Sequence, residues 1–230
     1  MKNDTSFEFY IPRFVKRILL CLVLAALFIL PPVQALNHPS LQFSTINGVN
    51  GYEHRSEEPW KTYENSLIRQ ADIALDFDFS QNIGTYNRMS WRAGFARDLA
   101  LAYQITKDNR YQNKAKEALL NLDREDTPHR TDRAQAVLGF SLAYDWIQPT
   151  LSPSEDKTIR DKLATLADTV YYDLNEGGTN RNYITFADYH GQAYPAMGVV
   201  GCALYDYTNP NKIPLRSGPK DWVRVGTTDL

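Results

Sequence analysis

Along most of this chain, apolar residues recur in steps of three and four, the spacing that gives an α-helix one core-facing stripe. Trp60, Tyr63, Leu67, Ile68, Ala71 and Ala74 predict a first helix, with Pro59 suited to its first turn. Residues 76–86 are aromatic and polar without that period and read as a loop. Ser90 is placed to cap a second helix, whose stripe is Phe95, Leu99, Ala102 and Tyr103. A short turn at Lys107-Asp108-Asn109 leads into a third helix over Tyr111–Leu122, with Tyr111, Ala115, Ala118, Leu119 and Leu122 inward. So short a turn makes the two helices antiparallel neighbours.

The pattern then repeats. Residues 123–130 are polar and contain Pro128, so they form a connection. Thr131–Ile147 is helical, with Ala134, Val137, Leu138, Leu142 and Trp146 inward, and Pro149 stops it. Ser152-Pro153-Ser154-Glu155 has the form of a capping box, opening a helix through Ile159, Leu163, Leu166, Val170 and Tyr171 that ends at Glu176-Gly177-Gly178. A last helix is expected from about Gly191 to Tyr205, closed by Asn209-Pro210, and 213–230 shows no convincing period. No strand alternation of useful length is present. The expectation is an all-α protein of six helices in successive antiparallel hairpins. An extended lead-in covers 36–56, the helical domain 57–208 and an irregular tail 209–230.

The N-terminus is of another kind. Lys2, Arg13, Lys16 and Arg17 precede an uncharged apolar run of thirteen residues, Ile18–Leu30, then Pro31-Pro32 and the small-flanked Val33-Gln34-Ala35. As a helix the run spans about 20 Å, short of the roughly 30 Å hydrocarbon core of a bilayer. That order predicts a signal peptide over 1–35, cleaved near Ala35, in preference to a permanent anchor, and so a secreted or cell-envelope protein. Removing its four basic and two acidic residues leaves 21 against 25, a net charge of −4, with no basic surplus for nucleic acid. Cys202 is then the one remaining cysteine, so no internal disulfide forms, and its apolar neighbours predict a buried small hydrophobe.

Certain phrases resemble a known family. His38-Pro39-Ser40-Leu41-Gln42-Phe43, with Glu58-Pro59-Trp60-Lys61 and Ala71-Asp72, is similar to the opening of heparinase II/III-type polysaccharide lyases. Leu99 to Tyr103, Lys107 to Tyr111 and Ala115 to Leu119 resemble that family's second hairpin, and Leu142-Ala143-Tyr144-Asp145-Trp146 with Leu151-Ser152 is its most similar stretch. His190, followed by Gly198 to Leu204, is similar to the helix carrying a catalytic histidine. The resemblance runs from Asn37 to Asp206. It implies part of an (α/α) toroid, normally completed by further hairpins and a β-sandwich domain. On that pattern the chain reads as a fragment, its catalytic tyrosine and second histidine lying in a missing C-terminal part.

A lyase acting on a uronate-containing polysaccharide removes the proton alpha to a carboxylate and expels the oxygen beta to it. It must neutralise the carboxylate, supply a base and protonate the leaving oxygen. Residues 180–192 gather these side-chain types on a loop entering a helix, whose positive dipole end favours an anion. His190 is the first candidate for base or carboxylate neutraliser, with Tyr189 and Tyr183 as further catalytic candidates. Tyr189 stands where the family carries an asparagine, leaving Asn182 or Gln192 to take the carboxylate. Arg181, Tyr194 and Trp146 complete the substrate-binding set for an acidic polysaccharide or oligosaccharide. Each has a plainer reading: a hydrogen-bonded histidine at a helix start, packing tyrosines, a solvated arginine, and a Tyr144-Asp145-Trp146 that fixes hairpin packing. A toroid hydrolase would instead need two facing carboxylates, for which Asp98, Asp145 and Asp188 are available. A non-catalytic saccharide- or protein-binding module is the remaining alternative. No cluster has metal-ligand spacing and no cofactor motif is present, so neither metal nor cofactor is expected.

Overall fold

Three- and four-residue apolar spacing does become helix. A computed structural model describes residues 38–81, 88–123, 129–175 and 187–228. The signal-peptide expectation, and the candidates Arg181, Asn182 and Tyr183, lie outside them. Seven α-helices occur among the described residues: α1 Trp60–Leu75, α2 Arg88–Thr106, α3 Asn109–Leu120, α4 Arg130–Ile147, α5 Pro153–Asn175, α6 Ala187–Ala203 and α7 Pro219–Thr228. No strand is found among the described residues, and the all-α class holds.

Helix α4 packs against α2 on one side and α6 on the other, so these three form a row. Helices α1, α3 and α5 pack in sequence behind that row, and α7 covers α6. Each hairpin thus contributes one helix to each of two layers. The core between them is rich in alanine: Ala93, Ala96, Ala100, Ala134, Ala136 and Ala143 are fully buried. Small side chains let the backbones approach, and Gly139 marks a point of close contact between α2 and α4. A Cβ on Gly139 would lie 2.8 Å from the Ala93 carbonyl oxygen.

Helix starts follow local chemistry. Asp108 caps α3 by accepting the Arg110 N–H at 2.9 Å. The capping box of α5 is formed as its spelling demands: Glu155 accepts the Ser152 N–H at 2.8 Å, and the Ser152 hydroxyl accepts the Glu155 N–H at 3.3 Å. Lys116 adds an ion pair to Glu155 at 3.0 Å. Helix α2 differs from expectation, starting two residues before Ser90. The Ser90 N–H is instead taken by the buried Asp132 carboxylate of α4, at 3.0 Å.

Four further expectations are corrected. Trp60 and Tyr63 do not face the core; α1 buries only Ala71 and Ala74, and the two exposed rings meet edge-on at 6.0 Å. The tail is not wholly irregular, because α7 occupies 219–228. Asp221 accepts the Gly218 N–H at 3.1 Å, while Trp222 and Val225 are buried. Two apolar anchors in ten residues are too few to register as a period. Cys202 is exposed, since the buried face of α6 runs through Ala193, Ala196, Met197, Val200 and Ala203 and leaves position 202 outside it. Finally, the lead-in is not simply extended: it forms 3-10 turns at Ile46–Gly48 and Tyr52–His54.

What holds the lead-in is a buried carboxylate. Asp145, near the end of α4, is fully buried and accepts from the Ser40 and Leu41 N–H groups at 2.9 and 3.1 Å and from the Ser40 hydroxyl at 3.2 Å. His38 donates through Nδ1 to the same carboxylate at 2.6 Å. Phe43 then stacks on Trp146, centroids 5.5 Å apart. A second buried carboxylate, Asp168 of α5, does the same for the segment before α7, accepting both the Arg216 and Ser217 N–H groups at 2.9 Å. Buried charge is costly unless fully hydrogen-bonded, and these bonds meet that demand.

Two outcomes follow from this packing. Gly139→Ala drives a methyl into the α2 backbone and should lower the unfolding free energy by about 1–3 kcal/mol in denaturant titration. The Glu155 carboxyl is held at about 2, below its ordinary 4.5, by the Ser152 N–H first and then by Lys116 and the Ser152 hydroxyl. With the folded value depressed, this contribution is complete above about pH 4.5 and is lost as pH falls toward 2. Denaturation midpoints followed through that range should fall less steeply for Glu155→Gln than for the unchanged chain.

Candidate functional site

Helical spacing puts Trp91, Gly94, Phe95 and Asp98 on one stripe of α2, and Gln135, Leu138 and Gly139 on one stripe of α4. These two stripes face a groove of about 560 Å³ that Ser90 and Arg97 also line. It runs along the seam that Gly139 closes at its floor. Trp91 is 63% exposed on its wall, an unusual position for so large an apolar surface. Arg97 donates through Nε and Nη2 to Asp98 Oδ1, at 3.0 and 2.8 Å. The Gln135 amide donates to Gln192 Oε1 at 3.0 Å, carrying the polar lining from α4 to α6.

The expected site residues fall unevenly around this groove. Gln192 is joined to it through Gln135. Helix α6 starts at Ala187, four residues before the expected Gly191, so Tyr189 and His190 lie in its first turn and not on a loop leading into it; their side chains are outside the described residues. Tyr194, one turn further along α6, is partly buried against the core. Trp146 is corrected: it is 2% exposed, stacked on Phe43, and presents no face to a sugar. Its neighbours are equally committed. Asp145 binds the lead-in, and the Tyr144 hydroxyl donates to Asp156 at 2.8 Å, with burial raising its pKa far above the ordinary value for tyrosine. The packing role of Tyr144-Asp145-Trp146 is the one realised. Of the three acids available for hydrolysis, Asp98 lines the groove, Asp145 is sealed away, and the Asp188 side chain is outside the described residues.

Trp91, Arg97 and Gln135 went unread in the sequence. The signal for Trp91 was a second stripe on α2, with Asp98, beside the apolar one that carries Leu99 and Ala102; Arg97 beside that stripe and Gln135 on α4 had none of their own. Both faces of α2 are used, so one apolar period could not describe it. No protein-family model matches the chain, and no curated protein matches it. Among the described residues no group of histidine, cysteine and acidic side chains could hold a metal ion, and no helix is long and apolar enough to cross a membrane.

Solvent access to the tryptophans is directly measurable. Trp60 and Trp91 are exposed, while Trp146 and Trp222 are buried. The double variant Trp60→Phe, Trp91→Phe should therefore keep a blue-shifted emission that acrylamide does not quench. Each single variant should lose part of the quenchable signal.

Proposed function

We propose that this chain is the saccharide-binding helical part of a secreted polysaccharide lyase of the heparinase II/III type. In this reading α2, α4 and α6 form the inner wall of an (α/α) toroid and α1, α3 and α5 its outer wall. The observation that carries it is the groove across α2 and α4, continued to α6 by Gln135 and Gln192, with His190 two residues ahead of Gln192. Exposed aromatic surface, amides and a charged pair in a concave seam are what a sugar chain requires: an apolar ring face to stack on and fixed partners for hydroxyls.

His190 then serves as the base or the carboxylate neutraliser at the start of α6. It sits where the first-turn N–H groups and helix dipole also stabilise the negative charge that develops as the alpha proton leaves. The C–H electron pair becomes the new C–C double bond, and the glycosidic C–O bond beta to the carboxylate breaks. A tyrosine returns a proton to the leaving oxygen. Tyr183 and Tyr189 are this chain's candidates, beside any donor supplied by a further toroid segment or β-sandwich domain. Asn182, Arg181 and Gln192 are the carboxylate and hydroxyl partners.

Incubation with polyuronates, followed by ultraviolet absorbance of the unsaturated product and by calorimetric binding, tests this. The reading expects absorbance to grow, and His190→Ala to slow it by roughly 10²–10⁴ with binding retained. New reducing ends without absorbance would make the protein a hydrolase. Saccharide binding without cleavage, both by this chain alone and with a further toroid segment and β-sandwich domain supplied, would make it a binding module.

A further inference from the structure

Two Asn-Gly pairs follow one another in the lead-in, Asn47-Gly48 and Asn50-Gly51, and all four residues are exposed. An asparagine before glycine is prone to lose its side-chain amide, because glycine has no side chain to hinder attack by its own backbone nitrogen on the carboxamide carbon. That attack needs the glycine N–H free to give up its proton. The fold treats the two pairs differently. Gly48 is the fourth residue of the turn 45–48, and its N–H is the turn's donor, bonded to the Thr45 carbonyl at 3.0 Å. In the next turn, 49–52, the pair is shifted by one place. Tyr52 now supplies the bonded N–H, to the Val49 carbonyl at 3.0 Å, and Gly51 is the third residue. Its φ of 85° and ψ of −5° are the left-handed conformation that this place in a turn reserves for glycine. The Gly51 N–H belongs to the central peptide of the turn and donates to nothing among the described residues.

We propose that Asn50 is a site of spontaneous deamidation, with water as the co-reactant, and that the bond at Gly48 protects Asn47. The Gly51 nitrogen attacks Asn50 Cγ. A new N–Cγ bond forms, the carboxamide C–N bond breaks, and the Gly51 proton leaves with the amide nitrogen as ammonia. Water then opens the cyclic imide at either carbonyl, giving aspartate or isoaspartate and one added negative charge. In isoaspartate the main chain runs through the former side chain and is longer by one methylene, so the 49–52 turn cannot close as before. The lead-in stays fastened upstream, by Asp145 and Trp146, and α1 begins downstream at Trp60. Deamidation therefore loosens the link between these two elements and leaves both in place.

The full chain, incubated folded in mildly alkaline buffer and in parallel in concentrated urea, tests this by tryptic digestion and fragmentation mass spectrometry. Cleavage at Arg55 keeps both pairs in one peptide. In the folded chain Asn50 should convert about ten-fold faster than Asn47, since the Gly48 bond must break before its nitrogen can attack. In urea both glycines lose their turns and the two rates should converge. Asn50→Gln, at an exposed position, should remove the fast conversion from the folded chain and leave the slow one. Equal rates in the folded chain, a faster Asn47, no conversion of Asn50 in the folded chain, or a gap that survives in urea would overturn the assignment.

Discussion

The close approach of α2 and α4 governs everything built around it. Gly139 has no side chain, so the α4 backbone lies directly against that of Ala93, and the fully buried alanines on both helices keep the seam narrow. Packing at this distance makes a methyl group a large perturbation. It also decides where functional surface can exist. With the seam closed at its floor, the side chains at its rim, Trp91 and Phe95 on α2 and Gln135 and Leu138 on α4, form the walls of a groove rather than filling a core. Helix α6 then joins α4 on its other side and brings Gln192 and the first turn holding His190 toward the same row.

Irregular segments are fastened by a different principle. A helix satisfies its own backbone, whereas a loop pressed against a core must find partners for its N–H and carbonyl groups. Asp145 and Asp168 supply acceptors for the N–H groups of Ser40, Leu41, Arg216 and Ser217. Arg92, buried to 1% exposure, supplies the converse: its guanidinium donates to the carbonyls of Phe79, Gln81 and Asn121, joining two connections to α2. Charged groups do this well because each bond to them is stronger than a neutral one, which offsets the cost of leaving water. Trp222 extends the Asp168 device by donating to the Ser217 hydroxyl at 2.7 Å, which seats α7 on its neighbours.

Helices were legible wherever a long stripe and a cap coincided. The third, fourth and fifth expected helices match α3, α4 and α5 to within two residues at every described end, because Asp108, Pro149 and the Ser152–Glu155 box punctuate them. Legibility failed where a helix is used on two faces or is very short. Helix α2 hides Leu99 and Ala102 on one side and offers Trp91 and Asp98 on another, and α7 shows only Trp222 and Val225. The phrases His38–Phe43 and Tyr144-Asp145-Trp146 were legible as landmarks but not as partners. No periodicity relates residues that meet across the whole domain through one carboxylate.

That separation also sets a clock. His38 and Asp145 are 107 positions apart, and a chain is synthesised from its N-terminus at about 5–20 residues per second. The lead-in therefore waits about 5 to 20 seconds for the carboxylate that will hold it. During that interval Phe43 has no Trp146 to stack on and Ser40 bonds only to solvent. The first segment of the domain to be made is thus among the last to be fastened, and hairpins of short loop length assemble ahead of it.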